Sequence, residues 1–188
     1  MYGLINSAMQ DMIVSHFGEE RWRDIHRHSG VAEDSFLSMR SYDDAITYRL
    51  VDSAARVLET PAEDCLEMFG RWWVAEVATK AFAPLMDATG TTTVDFLNNL
   101  NQLHDRIAST FINYVPPEFR VEVLDAAAGR YRVHYLSTRD GLTPFVVGLL
   151  GGLAQHFGDR LAITQLDVNR QAPGTHSVFE LVLERGAA

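Results

Sequence analysis

The sequence predicts an α+β fold, in which a helical N-terminal lobe precedes a C-terminal lobe that carries helices and a four-stranded antiparallel sheet. Roughly the first 115 residues place apolar side chains at helical spacing. Two later segments alternate apolar and polar residues on either side of a turn signal, and one apolar helix separates them. Helices followed by strands that pair with their neighbours along the chain are typical of the α+β class.

The N-terminal part contains helical patterns at residues 5–17, 19–27, 42–58, 61–80 and 94–113. At the start of the fourth pattern, Thr60 and Glu63 have the spacing of a capping box, with Pro61 at the first helical position. Gly70 interrupts the same helix, at a cost of about 1 kcal/mol relative to alanine. Either the glycine is simply tolerated, or it permits a bend or the close approach of another element.

The C-terminal part predicts two hairpins that flank a helix. Residues 119–137 alternate around a turn at Gly129, residues 143–158 form the helix, and residues 161–185 alternate around a turn at Pro173 and Gly174. We expect a single domain over residues 1–188, with a helical lobe at about 1–60 and an α+β lobe at 61–188.

The composition excludes several classes of protein. With 47% hydrophobic and 22% charged residues, the 188-residue chain is an ordinary globular protein. Its net charge of −9 argues against nucleic acid and anionic membranes as partners. A single cysteine, Cys65, excludes an internal disulfide and suits the reducing cytoplasm. The N-terminus lacks the features of a signal peptide, and the apolar run at 145–154 is too short to cross a bilayer.

Common catalytic motifs are absent from the sequence, which contains no HExxH, GxSxG, GxGxxG or P-loop pattern. Six of the seven histidines have no acidic or thiol partner at a recognisable metal-binding spacing. They are His16, His26, His28, His134, His156 and His176.

Three polar side chains follow one another at alternate positions where the first hairpin ends. The strand is predicted to finish with Tyr135, Ser137 and Arg139, which would then share one face and line up side by side. A solvent-facing strand tolerates such residues. Alternatively, they form an anion site in which the Arg139 guanidinium binds a carboxylate or phosphate.

His104 lies within the apolar stripe of the fifth helical pattern, four residues after Leu100 and three before Ile107. A histidine at such a position is usually a core residue with a hydrogen-bond partner. The alternative is a single axial ligand to a haem buried against this face, since many haem proteins hold iron through one histidine in an apolar pocket. The haem propionates would then need donors, which Tyr135, Ser137 and Arg139 could supply.

These residues resemble the H-NOX family of haem nitric oxide/oxygen-binding domains, which includes the haem domain of soluble guanylate cyclase. The family's Tyr-x-Ser-x-Arg motif matches residues 135–139, and its proximal histidine matches His104. Its Pro-Pro pair matches Pro116 and Pro117, and its distal helix matches FGRWW, with Gly70 at the flexible glycine. The opening MYGLINSAMQDMI is also similar, so that the resemblance covers essentially the whole chain.

The resemblance implies a gas sensor that is not an enzyme and that holds ferrous haem b between its two lobes. His104 would be the iron ligand, Tyr135, Ser137 and Arg139 would bind the propionates, and Pro117 would press on the haem. Binding of NO would break the iron–His104 bond and let the haem relax. The effector would be a separate protein, a histidine kinase or a cyclic-di-GMP enzyme. Because the chain has one cysteine, we expect it to lack the C-terminal zinc site of some members.

The distal side of the haem decides which gas is bound. The positions that align with the family's distal pocket are Ile5, Met9, Trp73, Val77 and Phe145. Oxygen-binding members carry a tyrosine hydroxyl where this chain has Phe145, and Trp73 could either donate its indole N–H or serve as apolar bulk. The resemblance therefore predicts binding of NO and CO and exclusion of O₂. The alternatives are an O₂-binding H-NOX protein, an electron-transfer haem protein with two strong axial ligands, and a haem-free interaction module.

Overall fold

A computed structural model describes residues 1–109, 114–170 and 174–185 of the chain. Three helices form the beginning of the fold: α1 (Gly3–Phe17), α2 (Glu19–Ser29) and α3 (Asp44–Val57). Gly18 and Gly30 follow the first two helices with φ values of +86° and +64°, a backbone region that glycine adopts without strain. None of the described helices is long and apolar enough to cross a bilayer.

The fourth predicted helix is continuous but changes its winding. α4 (Ala62–Trp72) runs directly into a π-helical segment (Trp73–Ala78) and then into α5 (Thr79–Ala81). The capping box predicted at its start is wrong, because Pro61 occupies the cap position and leaves Thr60 outside the helix. The Thr60 hydroxyl instead donates to the Leu58 carbonyl at 3.1 Å.

Two more helices complete the helical part, α6 (Ala83–Thr89) and α7 (Thr93–Ala108). The Thr92 hydroxyl caps α7 by accepting a hydrogen bond from the Asp95 amide at 3.1 Å. The end of the predicted helix at residues 110–113 lies outside the described residues.

The C-terminal part contains the predicted antiparallel sheet. Its strands are β1 (Glu118–Asp125), β2 (Arg130–Ser137), β3 (Asp159–Arg170) and β4 (Thr175–Arg185), with α8 (Thr143–His156) between the two hairpins. The spatial order is β1-β2-β4-β3, and every neighbouring pair is antiparallel. The predicted α+β fold with a four-stranded sheet is thus confirmed. Gly129 forms the first turn with φ +64°, whereas Pro173, in the second, lies outside the described residues.

The buried side chains form two clusters. The first joins α1, α2 and α3 to α4 and contains Met12, Ile13, Ile25 and Leu50, each at most 1% exposed. The second joins α7 and α8 to the inner face of the sheet. The division into lobes at residue 60 remains a prediction. Helix α4 lies after this boundary, yet its Leu66 and Phe69 belong to the same cluster as α1, α2 and α3.

Helices α4 and α8 touch backbone to backbone where Gly70 meets Gly148. A Cβ atom on Gly70 would lie 2.3 Å from the Phe145 carbonyl oxygen and 2.7 Å from the Leu149 nitrogen. A Cβ atom on Gly148 would lie 2.1 Å from the Glu67 carbonyl oxygen. Of the interpretations open for Gly70, close approach of another element is therefore correct.

Replacing Gly70 with alanine should lower the free energy of unfolding by about 1–3 kcal/mol, because the methyl group overpacks a contact between two backbones. Gly151→Ala on α8 is the matched control. Its Cβ would meet the Arg71 guanidinium at 2.4 Å, the end of a side chain that can move away. Urea denaturation of both variants measures the difference, and equal stability would show that the α4–α8 contact adapts freely.

Candidate functional site

The alternating residues at the end of β2 lie on the core side of the sheet. Tyr135 is 3% exposed and faces the buried Ser177 on β4. The interpretation of this trio as a solvent-facing strand is therefore wrong for Tyr135. Ser137 is half-buried, and its hydroxyl accepts a hydrogen bond from the Arg139 amide at 3.0 Å.

The Tyr135 and Ser137 hydroxyls are close enough to interact. Burial raises the pKa of Tyr135, while a hydrogen bond with Ser137 and the Arg139 charge oppose that rise. The phenol therefore stays protonated at neutral pH and can donate to an anion. The prediction that the three residues share one strand face is wrong for Arg139, because β2 ends at Ser137 and Arg139 lies in the bend that follows. The Arg139 charge still acts on the Tyr135 phenol, so the three polar groups are neighbours at the end of β2.

The Arg139 guanidinium makes contacts that the sequence analysis did not predict. Its Nε donates to Asp44 at 2.7 Å, and a terminal nitrogen donates to the Val115 carbonyl at 3.1 Å. The N-terminal amine of Met1 also pairs with Asp44. Asp44 thus joins the start of the chain and the start of α3 to the end of β2.

Asp44 is held in its charged form. Burial acts to raise the pKa of Asp44, but the hydrogen bonds and charges of the Met1 amine and Arg139 outweigh it and lower the pKa overall. The sequence offered one weak signal, the pair Asp43-Asp44 at a helix start. Asp43 caps α3 through the Ala45 amide at 2.9 Å, which leaves Asp44 for the ion pairs.

His104 lies on α7, largely buried among aromatic and apolar side chains. Its ring centroid is 5.9 Å from that of Phe119 and 6.5 Å from that of Tyr114. Its buried Nδ1 has no hydrogen bond of good geometry within the described residues. Burial lowers the pKa of His104, an effect that the Pro117 backbone and Asp105 only partly oppose, so the ring is neutral at pH 7. A neutral imidazole is the form that binds a metal.

Phe119 connects His104 to the hydroxyl pair. Its ring centroid lies 5.4 Å from that of Tyr135, and Asn101 of α7 bonds both its amide and its carbonyl, at 2.9 Å and 2.7 Å. These bonds fix the start of β1 against α7, two residues after the half-buried Pro117. His104 and Tyr135 thus both contact the ring of Phe119.

The residues predicted for the distal pocket are brought together around the first core cluster. Met9 and Val77 are part of it, and Ile5, Trp73 and Phe145 pack against it. Within it, the Phe69 ring centroid lies 5.1 Å from that of Phe145 and 6.1 Å from that of Trp73. The π-helical segment carries both Trp73 and Val77; such segments are frequent at functional sites.

The donor set fits a haem, judged by the chemistry of the side chains present. A buried neutral imidazole can ligate iron, and two hydroxyls and a guanidinium can bind propionates. The described residues hold no group of three or more His, Cys, Asp or Glu side chains arranged for a metal ion.

Comparison with known families decides the identity. A sequence model of the family described as Haem-NO-binding matches residues 2–165. The chain belongs to the H-NOX family. H-NOX domains bind haem and sense gases, and they are not catalytic by themselves.

Curated relatives of this H-NOX chain are guanylate cyclases. Soluble guanylate cyclase gcy-31 of Caenorhabditis elegans is 26% identical over 182 residues, which cover 96% of this chain and 26% of the relative. Guanylate cyclase soluble subunit beta-2 of Rattus norvegicus is 30% identical over 125 residues, which cover 64% of this chain and 18% of the relative. The chain spans about a quarter of the length of the first of these relatives.

Solved H-NOX structures share the fold over their whole length. An H-NOX protein from S. oneidensis in the Fe(II) ligation state has a TM-score of 0.86 at 21% identity, with 100% of this chain and 98% of that one covered. An oxygen-binding H-NOX domain related to soluble guanylate cyclases has a TM-score of 0.82 at 14% identity, with 99% of this chain and 96% of that one covered. At these identities the likeness establishes the fold.

Proposed function

We propose that this H-NOX protein is a sensor that binds NO and CO at ferrous haem b, excludes O₂ and signals to a separate effector. The observation that carries the proposal is the convergence of the Tyr135, Ser137 and Arg139 donors beside the aromatic contact that leads to His104. This arrangement suits a haem whose propionates meet the end of β2 and whose iron meets α7.

In this proposal each residue has one role. His104 is the iron ligand, and Pro117 presses on the haem from the same side. Tyr135, Ser137 and Arg139 bind the propionates. The distal face is formed by Ile5, Met9, Trp73, Val77 and Phe145.

Haem would supply an iron that binds the gas, and His104 would hold that iron from α7 while Pro117 contacts the haem. Loss of the His104 ligand on binding of NO would free α7 and change the contact of Pro117 with the haem. NO then acts as a switch only through its different affinity for the two states of the protein. Effectors that suit such a switch are a histidine kinase or a cyclic-di-GMP enzyme in the cytoplasm, and the cyclase relatives carry a comparable domain within a longer chain.

The absorption spectrum of the ferrous protein tests this function, recorded without ligand, then with NO, with CO and in air. We expect one axial protein ligand, binding of NO and CO, loss of the His104 bond in the NO form, and no stable oxygen complex. A ferrous spectrum with two protein ligands would instead identify an electron-transfer protein. A colourless protein despite adequate haem supply would identify an interaction module.

Arg139→Ala should accelerate haem loss more than Tyr135→Phe. Both hydrogen bonds end on an ionised propionate, where one such bond contributes about 1.5–3 kcal/mol, but only the Arg139 guanidinium adds a charge of its own. We therefore expect roughly hundredfold faster loss for Arg139→Ala, at the upper end of this range, and roughly tenfold for Tyr135→Phe, at the lower end. Transfer of haem to an excess of a haem-scavenging apoprotein measures both rates.

Arg130→Ala is the matched control for this comparison. Arg130 lies on the same strand, and its guanidinium pairs with Glu180 at 2.7 Å on the exposed side. Haem loss from this variant should equal that of the unmodified protein. If Tyr135→Phe lost haem faster than Arg139→Ala, the guanidinium would not be the main propionate partner.

A further inference from the structure

The outer face of the sheet contains a contact between two histidines. His134 on β2 pairs in register with Val178, and His176 on β4 pairs with Leu136, so that the two histidines are diagonal neighbours. His134 Nδ1 lies 3.0 Å from His176 Nε2, and the ring centroids are 5.3 Å apart. This face is opposite to the one that carries Tyr135, so the pair is separate from the candidate haem site.

Glu122 on β1 lies beside the outer nitrogen of this pair. His134 Nε2 is 3.2 Å from Glu122 Oε1, within ion-pair distance although without the geometry of a full hydrogen bond. A carboxylate at this place favours the tautomer of His134 that carries its proton on Nε2. The Nδ1 atom then presents its lone pair towards His176.

We propose that His134 and His176 together bind a divalent transition-metal ion of the Zn²⁺, Ni²⁺ and Cu²⁺ class, with water as the remaining ligands. Imidazole nitrogens bind such ions at about 2.0–2.1 Å. Two nitrogens bound at a right or tetrahedral angle are therefore about 2.8–3.4 Å apart. The observed separation of 3.0 Å lies within this range. Because the two rings now meet head-on, with centroids 5.3 Å apart, each ring must turn by roughly 35–45° so that both lone pairs converge on the ion.

A change in the tautomer of His176 frees the nitrogen atom that must bind the metal. Without metal, His176 donates its Nε2–H to His134 Nδ1. On metal binding, His176 exchanges this tautomer for the one protonated on Nδ1. In this exchange each ring keeps one N–H proton, and that of His134 stays on Nε2, towards Glu122. Binding thus requires no net loss of a proton and no change in backbone register.

The neighbouring arginines are paired with carboxylates, which reduces their electrostatic repulsion of a metal cation. Arg132 pairs with the second oxygen of Glu122 at 3.3 Å. Arg120, which faces His134 across the β1–β2 ladder, pairs with Glu118 at 2.8 Å. Two protein ligands give an exchangeable site, unlike a structural zinc site with four protein ligands. Because the ligands come from β2 and β4, bound metal would join the two central strands.

The test is a titration of the untagged protein, as isolated, with Ni²⁺ in competition with a chromophoric chelator. We expect one bound ion, with His134→Gln and His176→Gln each weakening binding by well over tenfold. Glu122→Gln should weaken it by about tenfold, the lower end for a residue that orients a ligand. His156→Gln, a change of an exposed histidine on α8, should bind as the unmodified protein does.

Thermal unfolding gives a second measurement that does not depend on the chelator. Saturating Ni²⁺ should raise the midpoint of the unmodified protein and of His156→Gln, because an ion that binds the folded state stabilises it. The rise should vanish in His134→Gln and in His176→Gln. Nickel affinity unchanged in both of these variants, or no bound ion in the unmodified protein, would overturn the proposal. Failure of the haem proposal would leave these results unaffected, since the ligands lie on the other face of the sheet.

Discussion

His104→Ala should be purified with little haem, and free imidazole should restore haem binding. His104 lies against the rings of Phe119 and Tyr114, where burial keeps the imidazole neutral. In the proposed site His104 supplies the bond to iron, which donors at the propionates cannot replace. Haem content, measured from the absorbance per protein, should fall by most of its value.

Rescue distinguishes an iron ligand from a core histidine. Free imidazole fits the space that His104→Ala creates and can bind the iron there, whereas a purely structural histidine would not be replaced in this way. His16→Ala is the control, since this histidine contacts Phe17 on α1, away from the candidate site. Full haem content with an unchanged spectrum in His104→Ala would exclude His104 as the ligand.

The parts of this site that the sequence predicts have a short periodicity. Tyr135 and Ser137 alternate along β2, Arg139 follows at the same spacing just beyond the strand, and His104 interrupts an apolar stripe on one helix. Both patterns follow from the geometry of a single element, which depends on its local sequence. The class of the fold could be predicted for the same reason, from helical spacing followed by two alternating hairpins.

The parts that could not be predicted depend on how distant elements meet. Asp44 and Arg139 are 95 residues apart, and His134 and His176 are 42 apart. Neither histidine has a partner at a metal-binding spacing along the chain, because it is the register of β2 against β4 that brings the two together. The π-helical segment at Trp73–Ala78 was also missed, since it continues an ordinary helical pattern. Within this segment Val77 packs into the first core cluster and Val74 into the second, so the segment contacts both cores.

Phe145→Tyr should increase affinity for O₂ by roughly ten- to thirtyfold, the equivalent of one hydrogen bond of about 1–2 kcal/mol. Bound O₂ carries negative charge on its outer atom and gains from a donor, whereas NO and CO gain far less. The Phe145 ring lies 5.1 Å from that of Phe69 in an apolar cluster, so the unmodified protein offers no hydroxyl at this position. The ferrous spectrum in air-saturated buffer measures the change, and NO binding should be nearly unaffected.

Phe157→Tyr is the matched control, because it adds the same hydroxyl beside Phe96 in the second core cluster. This variant should remain without an oxygen complex.

Trp73 is the other possible donor, but its ring meets Phe69 edge-on, at 6.1 Å and 83°, as an apolar packing residue does. Trp73→Phe should therefore leave the spectra in NO and in air unchanged. A stable oxygen complex of the unmodified protein that disappears in Trp73→Phe would show that the indole N–H donates to the gas and that this H-NOX protein binds O₂.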